Sequence, residues 1–453
     1  MANSYLVRTP GSAGNRKKFT ISAWVKRSYL GSNTSTIFSS WSADSIAGHF
    51  ALRFDGSDKL DLSTWSVNVL TTNRRFRDTN AWYHIVCAVD TDESTANNRV
   101  RFYVNGAEET SFATRNNPSS GQTFSVNNTN SQTVGLNNYS STAGNMDGYM
   151  SHVAMVDGQQ LTPATFGETD STSGIWKFKS PTGVTWGTNG FHLKFESSGN
   201  LGLDSSGQTN NFTVNGNLKQ SNSTPTTLYP TLDFLNKYTG TALEYGATQV
   251  AGSTGGGVKH YGTATMAVRQ GKWYWEIMNK TSSNSSLAVG VCTEPAVNQR
   301  ENQAPGFRQS SIATENYSGN IVINNANVSV GYGSTWTADG DICMIALDLT
   351  NNKFYIGKNG TWANSDNPSS NTGGYSLSSV TNVTGYFFPH FGSTSGTYMN
   401  SMNVNFGTGF FGITAVTSNS GAGEQDDNGQ GIFQYDVPTG FYAINTKNIN
   451  TYG

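Results

Sequence analysis

The sequence predicts an all-β protein made of two tandem antiparallel β-sandwiches, and three observations lead to this prediction. The 453 residues include 50 glycines and 12% aromatic but only 13% charged residues, which favours strands and turns over charged helices. Short apolar or alternating segments, separated by Gly, Asn, Asp and Ser turns, run through both halves. The third observation is one strand-turn-strand pattern that occurs in each half.

The repeated pattern joins an apolar strand ending in Asp to an aromatic strand ending in Asn-Gly. It reads AVDTDESTANNRVRFYVNG at 88–106 and ALDLTNNKFYIGKNG at 346–360. The pattern also contains an Asn-Asn pair before the aromatic strand. Asn tolerates left-handed backbone angles and Gly adopts them without steric cost, so both Asn-Asn and Asn-Gly favour hairpin turns. We infer that each sandwich carries its own copy of one hairpin.

The first domain is predicted to span residues 1–200. Its segment FTISAWVK at 19–26 alternates strictly, which is typical of a half-buried strand. Six further strand-like segments follow, and the one helical turn that we expect lies at 162–167, in TPATFG. The domain therefore reads as a run of short strands.

The second domain is predicted to span residues 231–453, after a polar linker at 201–230. The linker contains many Ser, Asn and Gly residues and ends in the proline-stiffened STPTTLYP. Beyond it, CMIAL at 343–347 is apolar on both faces, as expected for a central strand of a sandwich.

Charge and cysteine content exclude several classes of protein. The formal net charge is −2 and the basic clusters at 15–18 and 73–77 are short, which argues against a nucleic-acid surface. Cys87, Cys292 and Cys343 each lie in an apolar strand, so we expect buried free thiols and no disulfide framework. We find no secretion signal and no apolar run of membrane-spanning length.

Both blocks resemble known β-sandwich families. The first resembles a laminin-G or concanavalin-like jelly roll in FTISAWVKRS, NAWYHIVCAVD…RVRFYVNGAEE and MDGYMSHVAMVDGQQLTPATFG, over roughly 15–200. The second resembles a SPRY domain over 231–445, in GKWYWEI, AVGVCT, ENYSGNIVINN, YGSTWTADGDICMIALDLTNNKFYIGKNGTW, YFFPHFG and PTGFYAIN. The resemblance implies two tandem concanavalin A-like sandwiches, or jelly rolls.

The connecting segment resembles the joint between such modules in structural proteins of marine bacteriophages. The stretch that carries this resemblance is LGLDSSGQTNNFTVNG…STPTTLYPTLD. It implies a virion protein, made in the host cytoplasm and displayed on the particle surface.

Catalysis is not what the motifs predict. Concanavalin-like glycosidases place two carboxylates on one strand, and no Glu-x-Asp-x-x-Glu spacing is present. Glu276 stands alone in YWEIM, where we expect an exposed strand residue, and the six histidines are isolated in sequence. We therefore predict a non-enzymatic protein, with a polysaccharide-degrading, tailspike-like glycanase as the alternative.

The candidate ligand-binding residues lie in the second domain. The loop 294–311 and two nearby turns supply aromatic and arginine side chains, which suit recognition of a sugar or peptide. The candidates are Arg300, Glu301, Phe307, Arg308, Trp336 and Trp362. Trp336 belongs to the SPRY-like strand pattern, so a core position is the alternative for this residue.

Calcium is the one metal that the sequence leaves open, since some laminin-G-type modules bind it through loop carboxylates. The stretch FDGSDKLD supplies Asp55, Asp58 and Asp61, although without the spacing of an EF-hand. Solvated turn acids are the default interpretation of these residues. No other cofactor is expected.

The resulting functional prediction is a bacteriophage virion structural protein, as a fibre, knob or decoration of capsid or tail. Its expected partners are other virion proteins, host-surface glycans and, in a homo-oligomer, its own copies, but neither nucleic acid nor a membrane. Fewer than twenty residues precede FTISAWVK and no heptad or collagen repeat occurs, which favours a compact knob or decoration over a long fibre. A peptide-binding SPRY adaptor is the remaining alternative.

Overall fold

The computed structural model divides the chain into two compact units, Met1–Gln220 and Ser221–Gly453, which are described separately. It describes residues 4–31, 33–139, 144–238, 240–251, 253–254, 261–280, 287–295, 305–306, 308–393, 398–399, 401–417 and 424–453. Within these ranges no helix combines the length and the apolar character needed to cross a membrane.

The first unit is built from antiparallel strands. Sheet A has the order β10-β6-β5-β4-β3-β11-β1-β16 and sheet B the order β15-β12-β2-β7-β8-β9, while β13 and β14 form a separate hairpin. The strands are β1 (Tyr5–Arg8), β2 (Lys18–Arg27), β3 (Ser35–Trp41), β4 (His49–Phe54), β5 (Lys59–Ser63), β6 (Asn68–Arg75), β7 (Tyr83–Asp90), β8 (Val100–Val104), β9 (Ala107–Glu108), β10 (Phe112–Arg115), β11 (Gln132–Val134), β12 (Gly148–Asp157), β13 (Gly167–Thr169), β14 (Trp176–Phe178), β15 (Phe191–Leu193) and β16 (Thr213–Asn215).

The core of the first unit lies between sheets A and B. Phe19 and Ile21 of β2 and Phe50 and Leu52 of β4 are fully buried in one apolar cluster. The rings of Phe19 and Phe50 meet edge to face, with centroids 5.7 Å apart. Two sheets that face each other across such a core form a β-sandwich, which confirms the predicted fold class.

The second face of β2 differs from the prediction of a half-buried strand. Ser22 and Trp24, which point away from the core, are also buried. The chain after β12 covers this face: the indole nitrogen Nε1 of Trp176 donates to Nδ1 of His84, 2.9 Å away. Nε2 of His84 therefore carries the proton and donates to the Ser22 hydroxyl, also at 2.9 Å. The alternation of residues in a strand cannot reveal that its second face is buried, because the residues that cover that face, such as Trp176, are distant in sequence.

Residues 201–220, which the sequence analysis assigns to a linker, pack with the first unit. Strand β16 pairs with β1 in antiparallel register, with Val214 opposite Leu6. Phe212 is buried, and its ring lies 4.7 Å from that of Phe191. The structure thus divides the chain between Gln220 and Ser221. The segment is polar because most of its side chains face solvent, although its backbone completes a sheet.

The second unit contains two larger sheets. Sheet C has the order β17-β21-β31-β23-β24-β25-β26 and sheet D the order β18-β19-β33-β22-β27-β28-β29, with β30 on β28 and β36 on β22. The strands are β17 (Leu232–Lys237), β18 (Leu243–Glu244), β19 (Gln249–Val250), β20 (Ser253–Thr254), β21 (Tyr261–Ala264), β22 (Lys272–Asn279), β23 (Ala288–Cys292), β24 (Ser311–Glu315), β25 (Ile321–Ile323), β26 (Ala326–Ser329), β27 (Ile342–Asp348), β28 (Lys353–Lys358), β29 (Thr361–Trp362), β30 (Tyr375–Ser376), β31 (Phe388–Gly392), β32 (Tyr398–Met399), β33 (Met402–Asn405), β34 (Phe410–Phe411), β35 (Thr414–Ala415) and β36 (Tyr442–Ala443).

The core of the second unit lies between sheets C and D. Trp273 and Trp275 of β22 and Val289 of β23 are buried in one apolar cluster. Strand β27 is buried along its whole length, as its two-sided apolar sequence predicts. It occupies a central position in sheet D, between β22 and β28.

Among the residues that the structure describes, helices and helical turns are confined to short segments. The predicted helical turn at 162–167 is present as a 3-10 turn at Pro163–Thr165, and others lie at Ala96–Asn98, Ala363–Ser365, Pro368–Ser370 and Leu377–Ser379. The sequence analysis missed a C-terminal helix, α1 (Thr446–Tyr452). Asn445 is the sequence signal for its start, since Asn is a favoured N-cap residue. In the structure its side chain accepts a hydrogen bond from the backbone N–H of Asn448.

Glu276 corrects a second expectation. It is fully buried rather than exposed, because the C-terminal segment covers this side of β22. Both carboxylate oxygens accept hydrogen bonds from that segment: Oε2 from the backbone N–H of Gln434 and Oε1 from that of Tyr435, each at 2.9 Å. The Tyr274 hydroxyl donates to Oε1 and the Asn405 amide to Oε2.

The repeated hairpin is present in both units with the same geometry. Asn105-Gly106 and Asn359-Gly360 form two-residue turns in which all four residues have positive φ. In each turn the Asn side-chain oxygen accepts a backbone N–H at 2.8 Å from the start of β7 or β27, the strand that pairs with the one before the turn. The two strand-terminal acids, in β7 and β27, also form equivalent ion pairs with lysines on β2 and β22: Lys18–Asp90 and Lys272–Asp348.

Candidate functional site

A cleft of about 550 Å³ in the second unit is the candidate binding site. The loop before β27, the end of β28 and the turn and strand that follow it form its walls. Its lining residues are Gly331, Tyr332, Gly333, Ser334, Trp336, Cys343, Ile356, Gly357, Lys358, Asn359, Thr361, Trp362, Ala363 and Asn364. Aromatic rings, amides and backbone groups predominate, and this combination suits a small polar ligand.

The β28–β29 hairpin positions Trp362 at the cleft. Because Asn359 and Gly360 form its turn, Lys358 pairs with Thr361 and Gly357 with Trp362. Gly357 permits this close approach, since a Cβ atom there would lie 3.2 Å from the Trp362 ring. Trp362 is only partly buried, so part of its indole surface is available to a ligand.

Trp336 contributes a more deeply buried wall of the same cleft. Only 2% of the residue is exposed, and it belongs to the main apolar core of the unit. Its backbone N–H donates to the carbonyl of Asn316, which fixes the loop before β27. Its indole N–H has no hydrogen-bond partner among the described residues. Trp336 is therefore both a core residue and a lining residue.

A compact polar network sits at the rim of the cleft. Nζ of Lys358 lies 3.0 Å from Oδ2 of Asp341 and donates to the carbonyl of Thr335 at 2.7 Å. The Asn359 amide donates to Oδ1 of the same aspartate at 2.8 Å. Burial by itself raises the pKa of Asp341, but these two donors and the Ala338 N–H hold it below its usual value. The carboxylate is therefore ionised at neutral pH.

Two of the predicted ligand-binding residues, Trp336 and Trp362, line this one cleft. Arg308 does not join them: its guanidinium pairs with the Glu294 carboxylate at 3.0 Å and donates to the Glu294 carbonyl at 2.9 Å. The other three candidates, Arg300, Glu301 and Phe307, lie outside the described residues.

The three candidate calcium ligands are used for other purposes. Both oxygens of Asp58 pair with arginines, Oδ1 with Arg27 at 2.9 Å and Oδ2 with Arg77 at 3.0 Å. Asp61 pairs with Arg53, also at 3.0 Å. Asp55 closes its own turn by accepting two backbone N–H groups.

No metal site is formed by these aspartates. Across the described part of the chain, no group of three or more His, Cys, Asp or Glu side chains is arranged to hold a metal ion. The calcium prediction did not take account of the arginine partners. These arginines come from strands and loops whose proximity to the aspartates the local sequence does not reveal.

Sequence reasoning missed several lining residues. Tyr332, whose hydroxyl donates to Asp366 at 2.6 Å, lies in the loop before β27. Asn359 and Asn364 have positive φ, and their available signal was their place in the turn-rich KNGTWANS. The sequence marked these asparagines as turn residues, but not as residues that face a cleft.

The three cysteines match their prediction. All are free and buried, and burial raises the pKa of each thiol, that of Cys292 to about 12. Cys343, which lines the cleft, is consequently a neutral apolar surface at physiological pH.

Comparison with known proteins agrees with the two β-sandwiches. Residues 2–165 match the family model of the concanavalin A-like lectin/glucanases superfamily, and residues 272–409 match that of the SPRY domain. Concanavalin A-like and SPRY domains are β-sandwiches, and together they suggest a binding or adaptor role. More particularly, this chain carries a concanavalin A-like domain followed by a SPRY domain.

Similar solved structures are also SPRY domains. That of human HERC1 is 20% identical, with a TM-score of 0.29 over 38% of this chain and 96% of its own. A human SPRY domain is 15% identical, with a TM-score of 0.26 over 35% and 90% of the two chains. The TRIM65 PSpry domain is 16% identical, with a TM-score of 0.27 over 39% and 91%. No curated protein matches the chain.

Proposed function

We propose that this protein is a non-enzymatic structural protein of a bacteriophage particle that binds host-surface glycans through the cleft of its SPRY domain. It is displayed on the virion as a knob, fibre or decoration and docks there on other virion proteins. The observation that carries the glycan assignment is the set of aromatic and amide side chains around one cleft.

The chemistry of the cleft supports a sugar ligand. An aromatic ring such as Trp362 presents a flat apolar surface to the C–H face of a pyranose, while amides both donate to and accept from its hydroxyls. Asn364 supplies such an amide at the cleft, and Asn359 has one amide N–H left after it donates to Asp341. Asn359 directly follows β28 and Asn364 lies in the 3-10 turn after β29, so regular backbone structure holds both residues, which limits the entropy lost on binding.

The virion assignment has separate support. It comes from the resemblance of the segment between the two domains to the joint of marine-phage structural proteins. The first part of that segment, up to Gln220, belongs to the first unit, where residues 213–215 pair with β1.

The glycan part is tested by Trp362→Ala, with Tyr386→Ala as the matched control. Tyr386 is 43% exposed in the same unit but does not line the cleft. Loss of a buried aromatic anchor costs about 2 kcal/mol, so W362A should weaken binding to host-envelope polysaccharide about thirtyfold. Y386A should bind like the wild type. Equal binding by all three proteins would exclude the cleft as the site.

The competing functions have their own readouts. New reducing ends on incubation with host polysaccharide, lost on replacement of a single carboxylate, would favour a glycanase. Mass spectrometry of purified particles tests the virion assignment, since a structural protein should be present in stoichiometric amount. Its absence from particles, combined with binding of a peptide at the cleft, would favour the adaptor.

A further inference from the structure

The cleft carries almost no usable charge. Among its described lining residues Lys358 alone has a formal charge, and none is a carboxylate. An acidic sugar is recognised by a cation whose charge is not already neutralised, typically an arginine or lysine that is free to pair with the ligand carboxylate. The state of Lys358 therefore decides which glycans the cleft accepts.

Lys358 is neutralised from within the protein. Two of its three ammonium protons are directed at the Asp341 carboxylate and the Thr335 carbonyl. Asp341 is held rigidly, because it also accepts from the Asn359 amide at 2.8 Å and from the backbone N–H of Ala338 at 3.0 Å. The remaining ammonium proton is enough for a hydrogen bond to a hydroxyl.

We propose that the cleft selects uncharged glycans and that Asp341 sets this selectivity by neutralising Lys358. The inference rests on the proposed glycan-binding function and specifies its ligand class. Asp341 does not line the cleft. It belongs to the polar network at the rim and determines specificity through its contact with Lys358. A carboxylated sugar would meet a paired lysine with an anion directly behind it.

The decisive variant is Asp341→Asn, which keeps the side-chain shape and releases the lysine charge. Asp339→Asn is the matched control. Asp339 pairs with Lys280 at 3.8 Å in the same unit, outside the cleft, and both substitutions raise the formal net charge by one. Only D341N, however, frees a cation at the cleft. The double variant D341N/K358M removes that cation again.

The experiment measures binding of the four full-length proteins to immobilised polysaccharides. Neutral probes are dextran, mannan and galactan, and acidic probes are alginate, polygalacturonate and polysialic acid. We expect the wild type to bind acidic probes more weakly than neutral ones, and D341N to gain about fivefold on acidic probes, the factor of one partly exposed ion pair. D339N and D341N/K358M should show no gain. Thermal melting of each variant confirms that it is folded.

Each outcome bears on one of the two proposals. Wild-type binding to acidic probes through the cleft that is as tight as binding to neutral ones overturns the selectivity and leaves the glycan-binding function intact. An equal gain by D341N and D339N attributes the effect to net charge and also overturns it. If the wild type binds no probe, the glycan-binding function loses its support, while a gain confined to D341N still supports the role of Asp341. No gain by folded D341N refutes that role.

Discussion

The buried carboxylate of Glu276 should make the stability of the second unit depend on pH. Burial raises its pKa to about 7, against the opposing effect of four hydrogen-bond donors. In the unfolded chain the group has an ordinary value near 4.5. Because the folded-state pKa is the higher one, the stabilising contribution of the bound proton is complete below pH 4.5. It declines as the pH rises to 7 and is absent above that.

The magnitude follows from this difference in pKa. A carboxyl whose pKa rises from 4.5 to about 7 on folding contributes about 3 kcal/mol at the acidic end of that range. Glu276→Gln removes the titration. At acidic pH, E276Q should be less stable than the protonated wild type by about 2 kcal/mol, since each carboxyl oxygen faces a backbone N–H and the amide NH2 that replaces one of them cannot accept from it. The wild-type free energy of unfolding should therefore fall by about 3 kcal/mol relative to E276Q between pH 4.5 and 8.

The assay is urea unfolding followed by pulsed hydrogen exchange and mass spectrometry, which reports each unit through its own peptides. Peptides from residues 1–220 serve as the internal control, because E276Q should leave their transition unchanged at every pH. Parallel pH profiles of the wild type and E276Q for the second unit would refute the reasoning. They would mean that the surrounding donors hold the carboxylate ionised throughout this range.

The remaining predictions concern the Asp58–Arg27 ion pair, calcium binding and the two Asn-Gly turns. Asp58→Asn should destabilise the first unit by about 3–5 kcal/mol, because it leaves buried Arg27 without its partner. Calcium should not shift the melting temperature of the wild type relative to EDTA. Both are read by thermal melting, and a calcium-dependent rise would restore the metal hypothesis for this loop. Asn105→Ala and Asn359→Ala should each cost their own unit about 1–2 kcal/mol through the lost hydrogen bond and left-handed turn. Urea unfolding measures this cost, and unequal losses would show that the two hairpins are not equivalent. Only N359A should also weaken glycan binding, because only Asn359 lines the cleft.

The sequence predicted the two sandwiches because their signals are local. Turn dipeptides, strand alternation and the apolar β27 segment all act within a few residues, and each marks a turn or strand that the structure contains, although the alternating β2 is buried on both faces. Trp336 and Trp362 were identified as candidates for the same reason, since both lie beside recognisable turns. Their convergence on one cleft depends on tertiary packing and could not be read from the sequence.

The errors share a physical cause as well. Glu276 was expected at the surface, but a segment about 158 residues further along the chain covers it. Asp58 was expected to be a turn acid with free carboxylate oxygens. Its partner Arg27 lies 31 residues earlier in the chain, at the end of strand β2. Residues 201–220 looked like a linker because a polar edge strand such as β16 has little apolar pattern. In each case the deciding contact is long-range.

The duplicated hairpin has a consequence for how this chain reaches its native state. Each copy carries the same turn and the same lysine–aspartate pair at the far end of its strands, so these features cannot tell one sheet from the other. During refolding from denaturant, a hairpin of one half can dock into the growing sheet of the other and form a strand-exchanged trap. Only the fit of core side chains then rejects the wrong partner. Synthesis on the ribosome avoids this competition, because the first half can close its sandwich before the second hairpin has emerged.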